Sequence, residues 1–216
     1  MILTRRSITA FMLRVILALP LCFAAWYFAW KPLSSVPVWL SSQMIELSDT
    51  IRIERAEATD HQIKYTLRIG ADDWRYRSGK SEKAVADVDV SVLIYTYGLP
   101  FFVALILAAW SPLRIGRLIV ALGILFIGQA FSVGMDLLKQ LVIDNGAALS
   151  QALAFPALGR EAIAIGYQIG ALLLPTLVPI ILWLSYDNGM LKKLVEIANP
   201  GEVNKAKEAE VNPPSA

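Results

Sequence analysis

A chain of 216 residues that is 56% hydrophobic and 18% charged carries more apolar surface than one soluble core of that size can hide, since soluble domains run about 45–50% apolar and about 25% charged. The net charge of +2 provides no basic field for nucleic acid and points to no acidic substrate. One cysteine and one histidine exclude an internal disulfide and a His-rich metal site, and leave few of the residues from which zinc centres and nucleophilic triads are built.

The first apolar stretch runs from about Ile8 to Trp30 behind Arg5 and Arg6, and Arg14 lies inside it. It holds Cys22, which raises the reading of a lipidated, cleaved signal. Leu21 before the cysteine is too bulky for that cleavage and the apolar run continues past Cys22 to Trp30, so a retained helix is expected, with the thiol filling space within it. The paired arginines resemble a twin-arginine export signal only weakly and read better as an anchor on the inner side.

Residues 31–89 change character. "KPLSSVPVWLSSQMIEL" opens them, with Pro32 and Pro37 expected to break regular structure. Val38, Leu40, Met44, Ile45 and Leu47 form a short amphipathic stretch suited to the membrane surface. Period-two alternation follows at Ile51 and Ile53, at Ile63, Tyr65, Leu67 and Ile69, at Trp74 and Tyr76, and at Val88, Val90 and Val92. Alternation of this kind predicts strands with one buried face, and "ATDH" and "SGK" predict turns between them. His61, in the first of these turns, is expected to be solvated. The basic residues Arg52, Lys64, Arg68, Arg75 and Arg77 alternate with acids as a solvated sheet face would.

Three more apolar stretches lie at about Val90–Trp110, Leu118–Leu138 and Ala162–Tyr186, each near the roughly 20 residues that cross a hydrocarbon core. Arg114 and Arg117 in "SPLRIGR", and Lys192 and Lys193 after the last stretch, fall on the same side as the N-terminal arginines, which places both termini in the cytoplasm. Trp26, Tyr27, Trp30, Tyr95, Tyr97, Trp110, Trp183 and Tyr186 read as interfacial aromatics. The loop at 139–161 carries the Asn145-Gly146 turn signal and a short helical stretch interrupted at Pro156. Residues 187–216 read as a largely disordered cytoplasmic tail.

The expected fold class is therefore membrane α-helical: four transmembrane helices, with a small antiparallel β domain inserted between helices 1 and 2. The expected divisions are an anchor at 1–30, a periplasmic segment at 31–89, a three-helix membrane region at 90–186 and the tail at 187–216. No internal repeat supports an inverted-repeat transporter.

Two polar sets stand out within the apolar stretches. Gln129, Ser132 and Asp136 share one helical face, and an ionisable group near a bilayer is a functional candidate because burying it is costly. Asp136 has Arg160, Lys139 or a basic residue of another subunit as candidate partners, or it is simply hydrated at headgroup level, while Gln129 is expected to contact another helix. "GYQIG" sets Gly166 and Gly170 at small-xxx-small spacing for close helix approach, with Gln168 between them. Pro175 and Pro179 are expected to kink the fourth helix. No catalytic residue, cofactor or metal ligand is assigned.

The block "RVILALPLCFAAWYFAWKPLSSVPVWLSSQMI" resembles the N-terminus of the exosortase H-associated membrane proteins. The features carrying the likeness are the basic start, Leu19-Pro20-Leu21-Cys22-Phe23, Trp26-Tyr27 and the proline-bearing stretch behind them. The resemblance implies a bacterial inner-membrane accessory protein of a protein-sorting system. Its implied partner is an exosortase, a polytopic enzyme that processes C-terminal sorting tags with a cysteine, an arginine and a histidine, or that enzyme's sorted substrate. With its sole cysteine in the first helix and its sole histidine in the sheet, this chain would be the companion and not the enzyme. A small transporter or channel subunit using Asp136 and Gln129, and an assembly factor for pili or another envelope machine, are the alternative readings.

Overall fold

The computed structural model describes residues 5–46, 51–69, 84–110, 114–144 and 156–186. Helix α1, Arg5–Phe28, takes Pro20 inside it. Helix α2, Trp30–Glu46, follows almost without a break. Ala29 donates its N–H to Ala25 O (3.0 Å) and Leu33 donates to Ala29 O (3.3 Å), so the ladder runs across the junction. Pro32 and Pro37 thus lie within α2, where breaks were expected. Pro32 falls in the first turn, where a missing N–H costs little. Beyond Pro37, the Ser41 and Ser42 hydroxyls both donate to the Val38 carbonyl, at 2.8 and 2.9 Å.

The strands β1 (Ile51–Thr59), β2 (Gln62–Ile69) and β3 (Ala84–Ser91) form one antiparallel sheet in chain order. Thr59 pairs with Gln62 around Asp60 and His61, whose φ angles are 48° and 66°. Positive φ at both central residues is the primed hairpin geometry that matches strand twist, and the "ATDH" signal marks it correctly. The alternation also holds: Ile63, Tyr65, Leu67, Val88 and Val90 are buried on one face. The register shift between Ile53 and Arg55 ends this pattern in β1, and Glu54–Thr59 are all exposed. The Trp74–Arg77 alternation, the "SGK" turn, Asn145-Gly146 and the tail from residue 187 lie outside the described residues.

Beyond the sheet come α3 (Leu93–Thr96), α4 (Gly98–Ala109) and α5 (Ile115–Lys139), which runs on as a π turn at Gln140–Asp144. Then α6 (Ala157–Gln168), a π turn at Ile169–Leu173 and α7 (Leu174–Tyr186) form one continuous rod. Among the described residues, three helices are long and apolar enough to cross a membrane: Thr9–Phe28, Ile115–Asp144 and Ala157–Tyr186. The stretch expected as a full span at Val90–Trp110 is divided. Strand β3 takes its start, a turn at Tyr97 separates α3 from α4, and the apolar helix Leu93–Ala109 is shorter than the other three.

Two cores follow. One joins the sheet's buried face to Trp30 and Ile45 of α2, Tyr95 of α3, Val133, Leu137 and Leu141 around the end of α5, and Ile163 of α6. Within it Tyr65 is 1% exposed, and burial holds its hydroxyl pKa above the usual tyrosine value. The other core lies among α4, α5 and α7, around Phe102, Leu125 and Trp183. At that end Phe11 stacks on Trp183 (5.5 Å) and the Arg14 guanidinium lies 5.6 Å from the Trp110 ring. The Arg114 N–H donates to the Tyr186 hydroxyl (2.6 Å) and the Arg117 side chain to the Tyr186 carbonyl (3.3 Å). Arginines and large aromatics thus mark one end of the bundle, as at a membrane–water boundary.

A polar seam between the helices and the sheet

Gln129, Ser132, Asp136 and Gln140 recur at three- and four-residue steps along α5 and its π turn, so they share one face. That face meets α3, the α6–α7 rod and β3. At its deeper end Gln129, 4% exposed, donates from Nε2 to the Thr96 carbonyl at 3.4 Å. One turn on, the Ser132 hydroxyl lies 2.8 Å from Gly170 O and 2.9 Å from Gly128 O, so its single proton serves a carbonyl across the interface or one in its own helix.

Further up, Asp136 is 7% exposed. Its carboxyl bonds the Tyr95 hydroxyl, which also meets Tyr167, and it accepts from Gln140 Nε2 at 3.2 Å. The other Gln140 amide proton goes to the Asp89 carbonyl of β3 at 3.0 Å. The expected Lys139 partnership takes a different form. Lys139 pairs with Asp144 at 2.7 Å and lies 4.8 Å from the Tyr167 ring centre. Asp136 is therefore enclosed in a hydrogen-bonded set that ties sheet, α3, α5 and α6 together. Buried polar groups in such a set are costly singly and tolerable when paired.

Small residues bring the backbones close enough for these bonds. A Cβ on Gly170 would come 3.0 Å from Ser132 Cα, and one on Gly166 would run into the Met135 side chain. The "GYQIG" glycines therefore pack against α5 of the same chain, while Gln168 is exposed on another face. Across the bundle, a Cβ on Gly98 would come 2.9 Å from Pro175 O. The π turn at Ile169–Leu173 sits where Ser132 meets Gly170 and closes with the Leu174 N–H on Ile169 O.

Sequence reasoning placed Gln129, Ser132 and Asp136 on one face but missed their partners. Tyr95 was read as an interfacial ring, yet it is 2% exposed and bonded to Asp136. Thr96 and Tyr167 carried no periodic signal, because a hydrogen-bond partner on another helix leaves none, and Gln140, though in step with the set, falls in the stretch expected as a loop at 139–161. His61 also departs from a solvated turn residue. Its ring stacks on Tyr27 at 4.4 Å and leans on Trp30 at 4.9 Å, resting the hairpin tip on the α1–α2 junction. Cys22 is half-buried on α1.

Lipid-length apolar helices, a boundary of arginines and aromatics, and a small sheet fastened to the helices through a polar seam define a helical membrane protein with a β cap. The family model for exosortase H-associated membrane proteins matches residues 5–190, and the chain belongs to that family. The match covers the sheet and all the helices, well past the N-terminal block that carries the sequence resemblance. No curated protein and no solved structure matches the chain.

Proposed function

We propose that this protein is a non-enzymatic accessory of an exosortase-type sorting system in the bacterial inner membrane. It holds a membrane partner, the exosortase or its tagged substrate, against the outer surface through strand β1. The observation that carries the reading is β1 itself. Among the described residues it pairs only with β2, and from Glu54 to Thr59 both of its faces are exposed. A strand with one edge unpaired among the described residues suits strand addition, in which backbone bonds provide affinity and alternate side chains provide selectivity. Membership of the exosortase H-associated family supports the partner's class. Leu93–Ala109 serves as the fourth, short span, and the end marked by Arg14, Arg114 and Arg117 faces the cytoplasm.

The test is photo-crosslinking in the native membrane from a reactive residue at Glu57. Ile119, which is 64% exposed on the lipid side of α5, serves as the control position. An adduct with the exosortase or a tagged substrate from Glu57 and not from Ile119 is the expected result. Adducts only with lipid from both positions would remove the proposal.

A further inference from the structure

Beside the seam lies a small cavity of about 10 Å³, lined by Tyr95 and Gly98, by Leu125, Gly128, Gln129 and Ser132 of α5, and by Leu174, Pro175 and Val178 of α7. Two features of its wall need a hydrogen-bond donor. Gln129 Oε1 is fully buried and has no partner among the described residues. Its amide cannot be turned round to cure this, because Nε2 already faces the Thr96 carbonyl and the reverse would set oxygen against oxygen. The second feature is Pro175 O, which faces Gly98. In a regular helix it would accept from residue 179, but that residue is Pro179, which has no N–H. We propose that this cavity binds one ordered water molecule, which donates its two protons to Gln129 Oε1 and Pro175 O and so joins α4, α5 and α7 at the point where α7 lacks a backbone hydrogen bond.

The size and chemistry of the cavity select the ligand. About 10–15 Å³ is the smallest space that holds a water, and a buried water needs at least two polar partners. A monovalent cation would also suit a set of acceptors. No carboxyl group lines the cavity, however, and an ion there would carry an uncompensated charge within the helical bundle. Proline-broken membrane helices commonly recover their lost bonds through ordered water, and here the orphaned amide oxygen lies on the helix opposite.

The test is X-ray hydroxyl-radical footprinting of the full chain in lipid nanodiscs, read by mass spectrometry. Radicals form where water is held, so a buried side chain beside a bound water is labelled despite its burial. Leu125 is 3% exposed and Tyr95 2%. Both should be labelled in the wild type, and in Gln129→Leu the label on Leu125 should fall several-fold while that on the exposed Trp110 is unchanged. Gln129→Met, closer in shape, repeats the comparison should Gln129→Leu not fold. An unlabelled Leu125 in the wild type, or equal labelling in every variant, would overturn the proposal. So would a melting temperature that rises with sodium or potassium chloride but not with choline chloride, since that result would assign the site to a cation.

Discussion

Asp136 is the residue on which the readings of this protein divide. A transport role needs its carboxyl to meet a moving proton or ion. In the structure it is bonded instead to Tyr95 and Gln140, the placement a structural brace would have. Asp136→Asn keeps an acceptor oxygen for Tyr95, so its effect should be small, about 1 kcal/mol or less. Asp136→Leu leaves the Tyr95 hydroxyl only Tyr167 to bond and takes the acceptor from one partly buried Gln140 proton, at up to about 1–3 kcal/mol each. Thermal unfolding in detergent should therefore rank the wild type and the Asn variant close together and the Leu variant well below. Full stability of the Leu variant would show that the brace carries no weight, and a pH-dependent flux lost in a stable Asn variant would restore the transport reading. The glycines obey the same geometry. Gly170 is small because the Ser132 backbone stands where a Cβ would go, which is why the spacing in "GYQIG" announces packing without announcing the partner.

At the scale of elements, the β1–β2 hairpin sets a strained turn against aromatic contact. Left-handed backbone at a non-glycine residue costs roughly 1–2 kcal/mol, and an aromatic pair contributes about 0.5–1.5 kcal/mol beyond its buried area. His61 has both, with φ of 66° and two aromatic neighbours. His61→Ala loses the rings and keeps the strain, whereas His61→Gly loses the rings and the strain together. The Ala variant should be the less stable by about 1 kcal/mol, read from amide exchange of the β1–β2 pairs. Equal protection in the two variants would show that the turn is not strained. The same hairpin shows what a sequence reveals. Its turn and the alternation of Ile63, Tyr65 and Leu67 were legible because strand periodicity and turn chemistry are local. The division of Val90–Trp110 was not legible. Val88, Val90 and Val92 alternate into an unbroken apolar run, and only pairing with β2 shows where the strand stops. Pro32 and Pro37 misled for the opposite reason: a local breaker was overruled by the packing of α2 against α5 and the sheet.

For the whole molecule, the position of α2 determines how the β cap meets the membrane. Trp30, Ser34, Pro37, Ser41 and Ile45 form its buried side. Lys31, Ser35 and Glu46 lie along one exposed edge, and Val36, Leu40 and Met44 lie along another, with Val36 45% and Met44 46% exposed. A helix with a packed side, a polar edge and an apolar edge fits the plane of a bilayer surface, polar edge to water and apolar edge to lipid. Its height can be estimated from its contact with α5. The Ser41 side chain is the nearest neighbour of Gly134, 3.9 Å from where a Cβ would stand. Gly134 is about 28 Å along α5 from Ile115 at 1.5 Å per residue. With Ile115 near the arginine-marked boundary, this height matches the roughly 30 Å of a hydrocarbon core. Met44 should then sit at the outer boundary between headgroups and acyl chains. A spin label on Met44→Cys, in a Cys22→Ser background, should be more accessible to oxygen than to a water-soluble nickel chelate, and one on Glu46→Cys should show the reverse. A Met44 label as open to nickel as the Glu46 label would mean that α2 stands clear of the membrane and that β1 is held at a different height from the one a membrane-embedded partner requires.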